Sequence, residues 1–406
     1  MGIQRRFPHS MFGAIALFSG TIAAAAPWDI TYPTGQDPQS LATGDLNGDG
    51  LPDLIVANFG DNTVSVLRNT TIDAGDPISF DAQVTFAAGI SPKGVAIADI
   101  NGDGNGDIVV SDYNGNTVSV LLNATAPGAD VFNFLTAQAF AVGVTPITVA
   151  IADIDGDGRP DVIVANSSES GTVSVLTNTT ATGATTPSFD AQLILGTGSE
   201  TSSVAVADIN DDGKPDIVVA NTGDNSVGVL LNTTAAIGSP TFASSVVFPT
   251  GNGPTTVIAS DINGDGIADV VTSNGGSNDI SILLNTTPAG ASAVSLASAH
   301  AVPVGHYPRS VAAANLYQLG RNDLVVANAN DNTLTVLFNL TPAGATSVDI
   351  FPQRPVPTGA FPDFVALDDV SGDGIADIIV ANGDEATVSI LLDTPLSDVI
   401  FKDGFE

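Results

Sequence analysis

Short apolar runs and polar turns alternate along almost the whole chain. In a representative stretch, apolar residues 95–98 lead into a loop rich in Asp and Gly, and a second apolar run, 107–110, leaves that loop. After a polar turn, residues 117–122 alternate between polar and apolar side chains, which is typical of a half-buried strand. A linker rich in Pro, Gly, Ala and Thr then leads to a fourth apolar run, 132–142. The pattern therefore predicts units of four short strands without an intervening helix.

The unit recurs seven times. Six copies open with an Asp-rich loop, and their first residues are Asp45, Asp99, Asp153, Asp208, Asp261 and Asp369. The last gap is twice as long as the others, and a degenerate copy, NLYQLGRND, fills it from Asn315. Seven four-stranded units favour a β-propeller over a parallel β-helix, whose repeats are much shorter. The sequence therefore predicts an all-β, seven-bladed propeller.

The two ends of the repeat region complement each other. One strand-like segment, 28–33, precedes the first loop, and only two strands follow the last loop, ending near Leu392. Joining this segment to the last three strands would complete blade seven and leave no open sheet edge at the seam. We therefore expect the propeller to span residues 26–392 and the N-terminal strand to close it.

The segments outside the repeats indicate export. Arg5 and Arg6 precede an apolar run, 11–22, and small residues at 23–26 suit a signal-peptide cleavage site. We expect a signal peptide at 1–25, with the mature protein secreted to the periplasm, surface or exterior of a bacterial cell and no membrane anchor after cleavage. The tail, 393–406, is either an unstructured end or a sorting signal.

The charge balance narrows the possible partners. Asp and Glu number 44 against 10 Lys and Arg, which gives a net charge of −34. Such a surface repels phosphate backbones, so the sequence argues against a nucleic-acid partner. The chain has no Cys, which excludes disulfides and thiolate metal sites.

The acidic loops predict calcium sites. Oxygen-bearing side chains recur at positions one, three, five and nine, position six is Gly, and position seven would supply a main-chain carbonyl. Ca²⁺ prefers six to eight such oxygen ligands. The alternative is a metal-free turn, because Asp, Asn and Gly are common turn residues. Six copies in register favour calcium, although the last copy has Ser at position three.

The predicted calcium ligands are grouped by loop. They are Asp45, Asn47, Asp49, Leu51 and Asp53; Asp99, Asn101, Asp103, Asn105 and Asp107; Asp153, Asp155, Asp157, Arg159 and Asp161; Asp208, Asn210, Asp212, Lys214 and Asp216; Asp261, Asn263, Asp265, Ile267 and Asp269; and Asp369, Ser371, Asp373, Ile375 and Asp377.

The loops and the strands after them resemble a known family. Loops of the form DxNxDGxxD, followed by strands such as IVVAN and TVSVLLN, are similar to the FG-GAP/VCBS repeats of bacterial surface proteins and of the head of integrin α chains. The resemblance covers about residues 28–392. It implies a propeller that holds calcium between the first and second strands of a blade. It does not identify a ligand, because these repeats serve many roles.

The degenerate copy differs from the others in two ways. Tyr317 and Leu319 replace the ligands at positions three and five, so we expect no calcium there. Basic and aromatic residues, which are scarce elsewhere, cluster nearby: His300, His306, Tyr307, Arg309 and Arg321. This blade is therefore either a drifted repeat that packing maintains or part of a binding site.

The loops that join the blades suggest where a partner binds. They share a Gly-x-x-Pro pattern, and in a propeller they lie on the face opposite the calcium loops. Conserved frames with variable tips are how repeat proteins present binding surfaces. Lys93, Glu200 and Asp363 are among the variable tips. The predicted partner face comprises His306, Tyr307, Arg309, Phe59, Tyr113 and Phe361.

The sequence favours a binding protein over an enzyme. It contains no Gly-x-Ser-x-Gly elbow and no phosphate loop, and its paired carboxylates are assigned to metal. We expect a monomeric adhesion module that binds an extracellular protein or glycan. The alternatives are a structural scaffold of the cell envelope and a hydrolase or lyase acting near His306 and Tyr307. Recurring Asn-x-Thr triplets are explained by the repeat rather than by glycosylation.

Overall fold

Twenty-nine short strands form seven antiparallel sheets in the computed structural model, which describes residues 29–72, 77–352 and 355–392. Each sheet has four strands in order from the centre of the ring outward, except that two short segments share the outer position in blade six. The prediction of an all-β, seven-bladed propeller is confirmed.

The strands are grouped here by their position in the blade. The innermost strands are Pro38–Gly44, Pro92–Ala98, Pro146–Ala152, Thr201–Ala207, Pro254–Ser260, Pro308–Ala314 and Pro362–Asp368. The second strands are Asp53–Asn58, Asp107–Asp112, Asp161–Asn166, Asp216–Asn221, Asp269–Asn274, Asp323–Asn328 and Asp377–Asn382. The third strands are Thr63–Leu67, Thr117–Leu121, Thr172–Leu176, Ser226–Leu230, Asp279–Leu283, Thr333–Asn339 and Thr387–Leu391. The outer strands are Val84–Ala87, Gln138–Ala141, Leu193–Gly196, Val246–Pro249, His300–Pro303, the pair Ile350–Pro352 and Val356–Pro357, and Asp29–Pro33.

The ring closes between blades seven and one. Innermost strands of neighbouring blades contact each other all round the ring, including those of the last and first blades. The outer strand of blade seven is Asp29–Pro33, which pairs with Thr387–Leu391 so that Ile30 lies opposite Ile390. Closure by the N-terminal strand is therefore confirmed for these residues. Trp28, the expected signal peptide and the expected tail lie outside the described residues.

The hydrophobic core is divided among the spaces between blades. All six residues of the second strand Asp107–Asp112 are buried, and the other second strands show the same pattern. Ile55 and Val64 of blade one pack with Ile108 and Leu121 of blade two. The described residues form seven such clusters, one between each pair of neighbouring blades. Each blade is therefore stable only against its neighbours, which makes ring closure an energetic requirement.

The outer strands are shorter than the apolar pattern predicts. The run 132–142 yields only the strand Gln138–Ala141, and Phe134 forms an isolated bridge with Asn123. Phe132 and Phe134 are buried in the cluster between blades one and two. Because these rings turn inward to fill the core, the segment that carries them does not continue as an edge strand.

Two further details were not apparent from the sequence. His300 lies in the outer strand of blade five, opposite Ile282, rather than in the same blade as His306. The helical elements among the described residues are the single 3-10 turns Ala329–Asp331 and Gly383–Glu385. No helix in this part of the chain has the length and apolarity needed to cross a membrane.

The N-terminal strand should stabilise the whole ring through Tyr32. Its hydroxyl donates to the carbonyl of Ile78 and accepts the N–H of Phe80, both at 3.2 Å, and its ring meets Phe80 edge to face at 5.3 Å. We expect Tyr32→Ala to lower the free energy of unfolding by about 2 kcal/mol. Tyr32→Phe, which removes only the hydroxyl, should cost about 1 kcal/mol. Denaturant titration measures both changes.

Thr85→Ala, at an exposed position in the outer strand of blade one, is the matched control. It should change the free energy of unfolding by less than about 0.5 kcal/mol. Equal effects of Tyr32→Ala and Thr85→Ala would contradict a stabilising role for the closing strand.

Candidate metal loops and the opposite face

The Asp-rich loops and the inter-blade loops lie at opposite ends of the strands. In blade one the Asp-rich loop connects the innermost strand, Pro38–Gly44, to the second strand, Asp53–Asn58. At the other end of these strands, the N–H of Phe59 donates to the carbonyl of Asp37 at 3.0 Å. The structure therefore places the inter-blade loops beside the turns between the second and third strands. We call this end the upper face and the end with the Asp-rich loops the lower face.

Each acidic loop is closed by its own first carboxylate. Oδ1 of Asp45 accepts the N–H groups of Gly48 (2.7 Å) and Asp49 (3.1 Å), and Oδ2 accepts that of Gly50 (2.8 Å). Gly50 has a φ of 91°, which residues with a side chain rarely adopt. The first carboxylate bonds the position-six N–H in the other five acidic loops as well. The turn is thus formed by the protein's own hydrogen bonds.

The carboxylate at position nine is a buried strut between the loop and the third strand. Asp107 is fully buried; its Oδ2 accepts the N–H of Ile100 at 2.8 Å, and its Oδ1 accepts the N–H of Asn123 at 2.7 Å. Burial raises the pKa of Asp107 to about 7, although both backbone hydrogen bonds act to lower it. Burial likewise raises the pKa of the equivalent residues, to about 7 for Asp53 and Asp161 and to about 6 for Asp216 and Asp269.

An asparagine that follows the third strand ties its blade to the preceding blade. Nδ2 of Asn123 donates to the carbonyl of Leu46 in the loop of blade one (2.8 Å) and to that of Gly106 in its own loop (3.0 Å). The same bond crosses the seam of the ring, where Nδ2 of Asn69 donates to the carbonyl of Val370 at 2.9 Å. Among the described residues, these asparagines therefore link every pair of neighbouring loops except those of blades six and seven.

The linking asparagines are the first residues of the Asn-x-Thr triplets. All are buried, and each donates to the loop of the preceding blade: Asn69, Asn123, Asn178, Asn232, Asn285 and Asn339. A glycan on this nitrogen would replace hydrogen bonds inside the fold. The triplets thus recur because the amide is structural.

Position three of the loop contacts the following blade. Nδ2 of Asn47 donates to the carbonyl of Ala129 in the linker of blade two at 3.2 Å, and the N–H of Gly128 donates to the carbonyl of Asn47 at 2.6 Å. In blade three the side chain at position three accepts a hydrogen bond instead of donating one: a carboxylate oxygen of Asp155 accepts the N–H of Gly238 at 2.8 Å. Position three therefore joins neighbouring blades, whereas position nine braces the loop within its own blade.

The loop of blade three brings its carboxylates closest together. One oxygen from each of Asp153, Asp155 and Asp161 lies within 4.8 Å of the others, so the three could hold one metal ion. Arg159 lies 3.6 Å from Asp157 in the same loop and offsets part of the negative charge. Among the described residues, this is the one group of three carboxylates with oxygens so close, because position three in the other acidic loops is Asn or Ser.

In the degenerate loop of blade six, the position-nine carboxylate keeps its structural role although other positions have changed. Tyr317 at position three stacks on Phe338, with ring centroids 3.9 Å apart. Asp323 at position nine is nevertheless buried and accepts the N–H of Asn339 at 2.9 Å. The strut thus persists where positions three and five have lost their ligands and Asn315 replaces the first Asp, which indicates a structural role independent of those positions.

On the upper face, every innermost strand starts with an irregular register. The pairing with the second strand shifts after the first residue in all seven blades. Such bulges re-aim side chains. The second residues of these strands, which lie in the bulges, are Gln39, Lys93, Ile147, Ser202, Thr255, Arg309 and Asp363. Four of them, from the consecutive blades six, seven, one and two, are charged or carry an amide, and we call these four the polar arc: Arg309, Asp363, Gln39 and Lys93.

Arg309 is held by a carboxylate and two aromatic rings. One guanidinium nitrogen lies 2.8 Å from Asp363, whose side chain is 1% exposed, and the same nitrogen donates to Gln39 at 3.3 Å. The guanidinium carbon is 5.9 Å from the ring centroids of both Tyr307 and Phe361. Burial raises the pKa of Asp363 to about 6, and the nearby Arg309 opposes this rise.

Tyr307 and Phe361 adopt an unusual backbone conformation. Their φ values are 52° and 54°, in the left-handed region that bulky residues rarely occupy, and the equivalent residue of blade five is Gly253. The N–H of Tyr307 donates to Oδ1 of Asn278, and that of Phe361 donates to Oδ1 of Asn332, both at 2.9 Å. The equivalent residues of the other blades also have positive φ, so this conformation belongs to the repeat, and only these two blades place an aromatic ring there. The bonds hold both rings at the upper opening of the central channel, which we call the mouth.

The other predicted residues of this face form two further groups. Phe59 and Tyr113 lie in neighbouring turns with ring centroids 5.9 Å apart, and the Lys93 ammonium is 4.6 Å from the centroid of the Tyr113 ring. His306 is separate: Nδ1 lies 2.8 Å from Asp331, and its side chain is 71% exposed. Asp331 orients the imidazole, but a histidine so exposed does not have the buried environment typical of a general base.

One residue of the polar arc was not singled out from the sequence. Lys93, Asp363 and Arg309 were named as variable tips. Gln39 was not; it donates to Asp363 at 3.2 Å and accepts from Arg309. The available signal was its position directly after Pro38, the residue equivalent to the Pro before Lys93 and Arg309.

Comparisons with known proteins point to one repeat family. An FG-GAP-like repeat profile matches residues 45–110, 99–164, 153–219 and 208–272, and an FG-GAP repeat profile matches residues 252–296. Together the matches cover more than half of the chain. No curated protein matches the sequence.

Solved structures show the same fold at low sequence identity. One is BBS1N in complex with ARL6DN, soaked with mercury, with a TM-score of 0.56, 11% identity and coverage of 90% of this chain and 96% of that chain. The lead-soaked form of that complex gives 0.54, 13%, 90% and 96%. A functionally unknown protein from Desulfotomaculum acetoxidans DSM 771 gives 0.52, 13%, 83% and 94%. At these identities the likeness concerns the fold alone.

Removing one linking asparagine should destabilise the ring whether or not calcium is present. Asn178 is fully buried, and its Nδ2 donates to the carbonyls of Ile100 (2.9 Å) and Pro160 (3.0 Å). Asn178→Ala leaves both buried acceptors unpaired, so we expect a loss of about 2–4 kcal/mol in the free energy of unfolding. Denaturant titration in calcium and in EDTA measures it.

Asn133→Ala, at an exposed asparagine, is the control and should cost less than about 0.5 kcal/mol. A loss for Asn178→Ala that vanished in EDTA would mean that the asparagine acts only through a metal ion.

Proposed function

The chain belongs to the FG-GAP repeat family, and from this premise we propose that it is a secreted, calcium-stabilised propeller that binds an extracellular protein or glycan through its upper face. Propellers of this family are generally binding or structural modules rather than enzymes. The basic and apolar N-terminal segment supports export from a bacterial cell, and the mature protein would act as a monomeric adhesion module.

The observation that carries this proposal is the concentration of scarce side chains at one mouth of the ring. The chain has 10 basic residues and 4 Tyr, and two of each kind lie there: Lys93, Arg309, Tyr113 and Tyr307. Aromatic rings and Arg are enriched at binding hot spots. A passive scaffold has no need of aromatic residues grouped around a buried ion pair.

Calcium is supported by the charge and geometry of the lower face. Each acidic loop holds at least three carboxylates, and burial already raises the pKa of most position-nine residues. A divalent cation would favour the ionised forms. The residues that would hold it are those at positions one, three, five and nine, with the carbonyl at position seven. The loop of blade six would hold none.

Calcium should act as a folding staple. With free calcium near 1 mM and a Kd near 0.1 mM, each site would contribute about 1.4 kcal/mol. We expect Asp103→Ala to lower the melting temperature more in calcium than in EDTA, because the carboxylate contributes most when a metal is bound. Melting curves of wild type and variant in both conditions measure the difference.

Asn315→Ala is the control, because it changes position one of the loop that should bind no calcium. Its effect should be the same in calcium and in EDTA. A wild-type melting temperature that did not change on chelation would show that all the loops are metal-free turns.

The upper face should bind a partner independently of the metal loops. We expect the wild-type protein to bind at least one member of an array of extracellular glycans and matrix proteins. The combined change His306→Ala, Tyr307→Ala and Arg309→Ala should abolish that binding, because it removes two aromatic or imidazole rings and the paired guanidinium. The calcium-dependent rise in melting temperature should remain.

Binding that survived the triple substitution would show that the binding site lies elsewhere on the protein. If the wild type bound nothing on the array while calcium still raised its melting temperature, the envelope-scaffold alternative would be favoured.

A further inference from the structure

The polar arc contains two basic side chains, and only one of them is paired with a carboxylate in the described part of the chain. Arg309 is paired with Asp363 at 2.8 Å. Lys93, in contrast, forms no hydrogen bond or ion pair with any residue that the structure describes, and its ammonium faces the ring of Tyr113. A partly desolvated ammonium without a contacting anion is costly, and a ligand anion would remove that cost. Lys93 is therefore the position on this face at which pairing with a ligand anion would contribute most to the free energy of binding.

The surroundings of Lys93 do not supply that anion. Burial is the largest influence on Lys93 and lowers its pKa to about 8. Arg309 lowers it further, whereas Asp363 and Asp37 raise it without overcoming the effect of burial. Asp363 is already engaged by Arg309. The ammonium is thus charged at neutral pH but incompletely compensated.

The main chain around the mouth is already hydrogen bonded. The N–H of Ser91 donates to Oδ1 of Asn62 at 2.7 Å, and the N–H of Thr145 donates to Oδ1 of Asn116 at 2.9 Å. Equivalent bonds occupy the N–H groups of Gly253, Tyr307 and Phe361. An extended peptide depends on free main-chain groups or a sheet edge. At these five positions the main-chain donors are occupied, which favours recognition through side chains.

Two aromatic rings beside Lys93 form an apolar surface that we call the aromatic ledge. The rings of Tyr113 and Phe59 are half-buried and inclined at 57° to each other, with centroids 5.9 Å apart. A pyranose ring presents C–H bonds on its faces, which pack well on an aromatic face, and its hydroxyl groups bond to nearby polar side chains. The amide of Gln39 lies in the same arc.

We propose that Lys93, with the Tyr113 and Phe59 rings, binds the carboxylate of a uronic acid residue in an acidic glycan. This rests on the proposal that the upper face is the binding face. The ammonium would pair with the carboxylate while the sugar ring packs on the aromatic ledge. Recognition would therefore depend on the ligand's negative charge despite the protein's net charge of −34.

The test uses calorimetric titration with a short oligomer of galacturonic acid and with the same oligomer methyl-esterified, at one calcium concentration. We expect the acid to bind and the ester, which has lost the charge, to bind about tenfold or more weakly. Lys93→Gln should weaken binding of the acid to a similar degree, and Lys93→Arg should retain it. Lys214→Gln, in a lower-face loop, is the matched control and should have no effect.

The pH dependence provides a second measurement. Loss of the Lys93 proton should weaken binding by wild type between about pH 7 and 9, whereas Lys93→Arg should keep its affinity because a guanidinium remains charged there. This comparison does not depend on whether Lys93→Gln folds. A parallel loss of affinity in both proteins would overturn the assignment to Lys93.

The remaining results of these titrations would overturn or change the proposal as follows. Equal binding of acid and ester, unchanged binding by Lys93→Gln, or loss of binding in Lys214→Gln would overturn it. Binding of poly-glutamate but not of the uronate oligomer would replace the sugar with an acidic peptide. If neither bound while the array still gave a ligand sensitive to the triple substitution, the uronate inference would fail and the proposed binding function would stand.

Discussion

The fold depends on a chain of buried hydrogen bonds on the lower face. In each link, a position-nine carboxylate such as Asp107 joins its loop to the residue after the third strand, and that residue, Asn123, reaches the loop of the preceding blade. Because Asn69 makes the same bond to blade seven, the chain crosses the seam of the ring. These six links fix neighbouring blades in one relative orientation, and hydrophobic clusters fill the spaces between all seven blades, including that between blades six and seven.

This constraint divides the molecule into a fixed face and a variable face. Lower-face residues hold loop, strand and neighbouring blade together, so a substitution there affects at least two blades. At the upper end, the irregular start of each innermost strand presents a side chain such as Lys93 or Arg309 at the mouth without needing it for pairing. Consecutive blades can therefore differ there and build an asymmetric site on a nearly symmetric ring.

The ring closure gives the degenerate loop of blade six a neighbour that differs from those of the other loops. Position three normally contacts the linker between the third and outer strands of the next blade, as Asn263 does with Ala345. Blade seven takes its outer strand from the N-terminus, so no linker connects its third strand to its outer strand. At the corresponding position of blade six, Tyr317 stacks on Phe338.

The sequence by itself determined the number of blades, their four strands and closure by the N-terminal segment, because strand alternation and repeat spacing are local or periodic properties that one chain displays directly. It also placed the acidic loops and most upper-face residues. It did not reveal that the Asn-x-Thr asparagines join neighbouring blades, that Phe134 shortens the outer segment by turning into the core, or that Gln39 links Arg309 to Asp363. Gln39 and Arg309 are 270 residues apart. Only the closed ring brings them together, because such contacts depend on which blades become neighbours in space.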